Sequence, residues 1–429
     1  MASTANRDDA YLGALVAQAR SKISLPVTVH RYLPAAAFYF FLNSAGLPRG
    51  LFYTSVFAPL LFVWLYLKGQ RWLTTRFLLV FSPFIVVQWA MGVESHLYYL
   101  RSLLLLWTVL VAVYSFSWGL LNTRTMERLF DELIVLNFLV TIIALGNLRS
   151  PLQKLFWMDT SDTLAGSSHL LRLSMFTSEP SAYAELMLPL VIFAVLRLLV
   201  SGGKRSILYF ALICIPFLLT QSFGGLSISS GAVGATLLVS YRRFLRKPRS
   251  LLIMTGLICA AGAIILVPNP IAARLFQVLS GSDSSTQSRT TLSFVIAYAV
   301  ASSKSIWWGV GLGQGKIVDV SNLGLGFTVG IIPNSVAGTF AELGIVGVVL
   351  RLGIEVFLFF KTKVYHNSFR LAMFLAAFIV QLTGSHLMDV QQYLMWCFAF
   401  LPFFPGLNLR SAEERELSRV PGLGATHAG

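Results

Sequence analysis

The stretch Ser102-Leu103-Leu104-Leu105-Leu106-Trp107-Thr108-Val109-Leu110-Val111-Ala112-Val113-Tyr114-Ser115-Phe116-Ser117-Trp118-Gly119-Leu120-Leu121 contains no charged residue. A helix needs about 20 mostly apolar residues to cross a bilayer, and this stretch supplies them. Across all 429 residues, 56% are hydrophobic and 12% charged, the latter about half the usual share of soluble domains. Such a chain has too few polar groups to cover a soluble surface, and it is far too apolar to stay disordered. The sequence predicts an all-α polytopic integral membrane protein.

Reading outward from residues 102–121, similar apolar runs predict about 12 transmembrane helices. They fall near 32–46, 52–67, 77–93, 102–121, 132–146, 182–200, 206–221, 227–241, 251–268, 335–360, 371–388 and 392–406. Residues 1–31 are mixed and polar, with no apolar core of a signal peptide, and are expected to form a cytoplasmic N-terminal segment. The transmembrane domain is expected over 32–406, and 407–429 as a cytoplasmic tail.

The net charge of +15 has a simple origin in this arrangement. Cytoplasmic loops of membrane proteins collect Lys and Arg, and about two thirds of these residues fall on one side if the N-terminus is inside. The densest group is Arg242, Arg243, Arg246, Lys247 and Arg249. Both termini are therefore expected in the cytoplasm, and no nucleic acid is needed to account for the charge. Cys214, Cys259 and Cys397 lie in apolar runs without metal-ligand spacing.

Two outer loops are long, at about 147–181 and 269–334, while the inner loops leave no room for a folded cytoplasmic domain. Chemistry is thus expected on the outer face, without a cytoplasmic nucleotide as donor. Within the second loop, residues 290–306 read as a short interfacial helix followed by Trp307 and Trp308. The run Gly309-Val310-Gly311-Leu312-Gly313-Gln314-Gly315 resembles a phosphate loop only superficially, since it follows no strand; it predicts a turn or loop.

Three polar constellations border these loops. The first is Arg172-Leu173-Ser174-Met175-Phe176-Thr177-Ser178-Glu179-Pro180-Ser181-Ala182-Tyr183-Ala184-Glu185. Ser178 predicts an N-cap and Pro180 a first helical turn, so that the helix N-terminus and Arg172 make a place for an anion. Glu179 is placed to take a proton from a hydroxyl; capped, solvated charges are the plainer reading. The second is Ser288-Arg289, which reads either as a lipid-headgroup contact or as a second guanidinium on a diphosphate. The third runs from Asn334 to Gly344. On a straight helix it carries Glu342 about 12 Å inward, and an intramembrane carboxylate faces a cavity or partner. Arg351 and Glu355, four apart, read as a structural ion pair. His386 and Asp389 are too few for a metal site, so neither metal nor cofactor is expected.

Taken together, these elements resemble the O-antigen polymerase and ligase superfamily, specifically its Wzy-type polysaccharide polymerases. The resemblance rests on Arg172 with Phe176-Thr177-Ser178-Glu179-Pro180-Ser181, on Ser288-Arg289 followed by Gly309-Val310-Gly311-Leu312-Gly313, and on Asn334 with Glu342-Leu343-Gly344. It covers about residues 165–360; the first half matches only as a string of spans. It implies polymerisation of undecaprenyl-diphosphate-linked repeat units at the periplasmic face of the bacterial inner membrane, alongside a flippase and a chain-length regulator. It also implies diphosphate contacts by Arg172 and Arg289, further substrate contacts by Ser181, Ser288 and Asn334, and a catalytic carboxylate at Glu179 or Glu342. The ligase branch carries a histidine shortly before the loop asparagine, whereas Val329 to Asn334 has none, which favours polymerase over ligase. The Glu-Pro-Ser form is similar to exopolysaccharide, xanthan-like polymerases. The alternatives are a ligase of the same fold and a flippase or other transporter of lipid-linked oligosaccharide.

Overall fold

The computed structural model describes residues 53–121, 126–159, 171–177, 179–240, 283–318, 332–384, 386–402 and 404–407, with a few isolated positions between 252 and 281. The expected spans at 32–46 and, for the most part, 251–268 lie outside the described residues.

Helices account for the architecture. They are α1 (Tyr53–Leu67), α2 (Leu73–Ala90), α3 (His96–Leu121), α4 (Met126–Gly146), α5 (Pro180–Ser201), α6 (Lys204–Leu219), α7 (Phe223–Val239), α8 (Ser284–Arg289), α9 (Thr291–Ser302), α10 (Ser335–Lys361), α11 (Ser368–Thr383) and α12 (Val390–Phe400). Five are long and apolar enough to cross a membrane, namely α2, α3, α4, α5 and α10, and shorter apolar helices accompany them. This is an all-α multi-pass membrane protein. A two-stranded antiparallel ribbon, β1 (Trp157–Asp159) with β2 (Leu171–Leu173), pairs Met158 with Arg172 in the first long loop.

Local chemistry sets the helix ends. The side chains of Ser222, Asp283, Asn334, Asn367 and Asp389 each cap the helix that follows, satisfying amides that have no partner in the first turn. Gly202, in the left-handed region, stops α5. The run expected as 371–388 ends at Thr383, because Gly384 closes α11 and Asp389 opens α12. The run expected to reach 406 ends at Phe400, with Pro402 and Pro405 beyond it.

α5 is the centre of the array: 72% of its spanning window is buried, against 17% for α2 at the rim. Around α5, an aromatic nest ties four segments together. Phe130 of α4 meets Phe193 at 5.2 Å, Phe398 at 5.5 Å and Phe404 at 5.0 Å, edge to face. At one end of the array Asp131 receives both Arg197 and Arg205, and Arg370 donates to the carbonyls of Thr362, Ala399 and Phe400.

α10 is not a single rod. Gly344, at φ 68° and ψ −167°, breaks it into two helices, 335–343 and 345–361. Arg351 nevertheless donates to the Ser335 carbonyl at 3.0 Å and to Thr339 Oγ1 at 2.8 Å. In a straight helix those 16 residues would stand about 24 Å apart, so the two arms fold back on each other. Arg351 also reaches Gln381 near the end of α11, while Thr362 meets Arg370 near its start. The bend at Gly344 therefore projects beyond the end of α11, about 10 Å past the level of Arg351. Glu342 lies on the bend side of Asn334, away from the middle of the array, which reverses the inward position expected of a straight helix.

The bend exposes backbone that the second long loop repairs. Ile345 N–H donates to the Ile306 carbonyl and Val346 N–H to that of Trp307; Val310 and Gly311 N–H donate to the carbonyls of Ala341 and Glu342. The approach leaves no space for side chains: a Cβ on Gly344 would meet the Trp307 oxygen at 2.2 Å, and one on Gly309 the Glu342 carbonyl carbon at 2.4 Å. The glycine run is thus the turn expected from sequence, and its composition follows from packing against α10. The helix expected over 290–306 forms as α9, with Ile296, Ala297 and Val300 buried against Val310, Ala337 and Ala341. It is packed on α10 along one face, while Phe294, Val295 and Tyr298 on its other face and Trp307 beyond it are exposed.

Candidate functional site

The first long loop delivers Glu179 to the start of α5. Ser178, the expected cap, lies outside the described residues; Glu179 occupies the cap position in extended conformation with Pro180 after it. The Thr177 hydroxyl donates to the carbonyls of Ser174 and Glu179 and fixes this corner. The Glu179 carboxylate accepts from Ser181 Oγ at 2.7 Å and lies 3.8 Å from Arg289 Nη2.

The second long loop delivers Arg289 as the last residue of α8. Asn334, fully buried, joins the parts: its Nδ2 donates to the Arg289 carbonyl at 3.1 Å and the Leu382 carbonyl at 2.6 Å, while its Oδ1 caps Ala337 N–H. Ser288 is half-buried and its carbonyl accepts from Ser293 Oγ, locking α8 to α9. Glu179, Ser181, Ser288, Arg289 and Asn334, picked from three separate stretches, are thus brought together at one end of the array.

Two expected residues are not in this group. Arg172 donates from Nε to the Thr220 carbonyl at 3.0 Å and from Nη2 to that of Gln221 at 3.2 Å. It ties β2 to the turn between α6 and α7, where unpaired helix carbonyls favour a cation, and among the described residues no contact joins it to Arg289. Glu342 belongs to the bend: its carbonyl accepts from Gln88 Nε2 at 2.9 Å, and Tyr99 donates to Gln88 Oε1. Its carboxylate faces Gly313 and Gly315, and Oε2 has no hydrogen-bond partner among the described residues.

Two residues of the site, Glu185 and Gly384, were given no role from sequence, and Asp389 was weighed only as a metal ligand. Glu185, 9% exposed on α5, points at Gly384, where a Cβ would meet Glu185 Oε1 at 3.2 Å and Arg289 Nη1 at 3.3 Å. The Asp389 carboxylate caps Gln391 N–H and bears on Glu185 electrostatically. Burial raises the Asp389 carboxyl above its ordinary range, opposed by the Gln391 amide and by His386. The available signal was a carboxylate inside the apolar run that follows Glu179, an arrangement that is expensive in a membrane without a function.

Chemically the group is a guanidinium held among carboxylates. Arg289 has five N–H donors, and among the described residues none makes a hydrogen bond; Glu179 at 3.8 Å is its ion-pair partner. Its side chain is 32% exposed. A cation in that state, at the edge of a helical array, can receive a phosphate-type anion. A separate network lies deeper: Arg351, Glu355 and Gln381 bond one another, with Gln392 beside Gln381, which matches the structural pair expected from the spacing.

The chain matches no protein-family model and no curated protein.

Proposed function

We propose that this chain is a membrane-embedded glycosyltransferase that uses a polyprenyl-diphosphate-linked donor. Within that class we propose a Wzy-type polysaccharide polymerase, joining undecaprenyl-diphosphate-linked repeat units at the periplasmic face of the bacterial inner membrane. The full topology in this reading is about 12 spans with both termini cytoplasmic and the two long loops periplasmic. A flippase supplies the substrate and a chain-length regulator acts beside it.

The observation that carries the reading is the meeting of Glu179, Arg289 and Asn334, from both long loops and the start of α10, around a guanidinium with unused donors. Arg289 would bind the donor diphosphate and stabilise the charge that grows on it as the glycosidic bond breaks. A carboxylate would orient the acceptor hydroxyl and take its proton. Of the two candidates named from sequence, Glu179 adjoins Arg289 and Glu342 does not. Arg172 acts in this reading as support for the first loop, and Ser181, Ser288 and Asn334 hold the site's shape.

One observation favours a second reading. Broken helices with polar residues at the break are a transporter feature, and α10 breaks at Gly344 beside Glu342. That reading is a lipid-linked oligosaccharide flippase. Purified protein in proteoliposomes, given the undecaprenyl-diphosphate repeat unit without nucleotide or added metal, separates the two. A ladder spaced by one repeat supports the polymerase; unchanged substrate on the opposite leaflet supports the transporter and overturns the polymerase. Transfer of a single glycan to a different lipid acceptor points to the ligase.

A further inference from the structure

We propose that Glu185 is the base that takes the proton from the acceptor hydroxyl, while Glu179 serves to hold Arg289; this rests on the transferase reading above. Two carboxylates, Glu179 and Glu185, adjoin the guanidinium, with Asp389 acting on Glu185, and their lone pairs are committed differently. Glu179 is 55% exposed, and its Oε2 both accepts from Ser181 Oγ and faces Arg289. Asp389 commits Oδ1 to the Gln391 amide in the first turn of α12. Glu185 makes no hydrogen bond and no ion pair among the described residues, yet it is 9% exposed.

Position argues the same way. Glu185 projects from α5, the most buried long helix of the array, so its backbone is fixed where Glu179 sits on a loop corner. Its Oε1 and Arg289 Nη1 both crowd the bare backbone of Gly384, which places a proton acceptor next to the group that would hold the leaving diphosphate. A base in a site that excludes water and stands at the reacting atoms is more effective than one in contact with solvent.

The step balances on these groups. The acceptor hydroxyl oxygen bonds to the anomeric carbon of the donor. The bond from that carbon to the lipid diphosphate breaks, and the diphosphate leaves with the electron pair against Arg289. The hydroxyl proton passes to the Glu185 carboxylate.

Glu185→Gln and Glu179→Gln in the proteoliposome assay, with the undecaprenyl-diphosphate repeat unit as probe, test the assignment. Glu185 faces Arg289 from the second loop, Glu179 from the cap of α5, and Asp389, itself beside His386, from the α11–α12 turn. Glu185→Gln is expected to lower kcat at least about a hundredfold, with the donor KM within about threefold, and to abolish the acid limb of the pH profile. Glu179→Gln is expected to lower the rate less than about tenfold and to keep that limb. A wild-type rate in Glu185→Gln, or a lowered rate with the acid limb intact, overturns the assignment. Should Glu185→Gln not fold, Glu185→Asp keeps the charge and withdraws it from Gly384; a loss of at least about tenfold with the acid limb kept supports the proposal, and an unchanged rate overturns it. A wild-type protein that builds no ladder removes the transferase reading and the base with it. That result is distinct from a wild-type ladder that survives Glu185→Gln.

Discussion

Two carboxylate-bearing regions stand at the same end of the helix array, and they are built in opposite ways. Around Arg289, side chains from separate segments converge while the guanidinium donors and the Glu185 oxygens stay uncommitted. Around Glu342, backbone meets backbone: the arms of α10, the glycine run and Gln88 close on one another until a methyl group would not fit. A ligand needs the first kind of region. The second kind holds a shape. A carboxylate near the membrane end of a helix, even one with an unbonded oxygen like Glu342 Oε2, is therefore not enough to mark a site; what counts is whether it stands beside a cation with unused donors.

The comparison breaks most sharply at Arg289. Arg289→Ala is expected to cut product formation at least about a hundredfold, as for loss of a transition-state charge partner, while the midpoint of thermal unfolding stays within about 2 °C. Normal chain lengths in that variant would show that the group around Arg289 is not the site. Next comes the bend. Gly344→Ala adds a Cβ at 2.2 Å from the Trp307 oxygen in a left-handed conformation, and is expected to cost about 3 kcal/mol of stability. Thermal unfolding in detergent measures this, and an unchanged midpoint would mean that the two arms can open freely.

Smaller effects sharpen the contrast. Arg172→Gln removes two charged hydrogen bonds to the α6–α7 turn and is expected to cost about 1–2 kcal/mol, with activity falling only as folded protein falls. An activity loss that outruns the stability loss would return Arg172 to the diphosphate. The least is expected of Glu342→Gln, whose Oε2 has no hydrogen bond to lose: activity within about threefold of wild type. A hundredfold loss there would invert the comparison and make the bend the reacting centre.

Much of this architecture is legible in the sequence, because apolar runs such as 102–121 carry the membrane signal by length alone. Ten of the expected spans coincide with helices among the described residues. Arg289, Glu179, Ser181, Ser288 and Asn334 were legible as polar residues bordering long loops, and they do meet. The bend in α10 was not, since hydropathy averages over Gly344 and records one continuous apolar segment; only the reach of Arg351 to Ser335 exposes it. Glu185 was hidden for a related reason. It sits inside a run that hydropathy assigns to lipid, and its meaning comes from Gly384, about 200 residues away in sequence.

The fold-back of α10 bears on how the chain matures. As it leaves the ribosome, the segment 335–361 has the apolar length to enter a bilayer as one straight rod. Its final shape includes Arg351 bound to Gln381, which belongs to a helix synthesised later. That one tie can therefore form only after α11 has been made. The ties of the bend to the glycine run and to Ser335, whose residues are all made earlier, do not depend on α11.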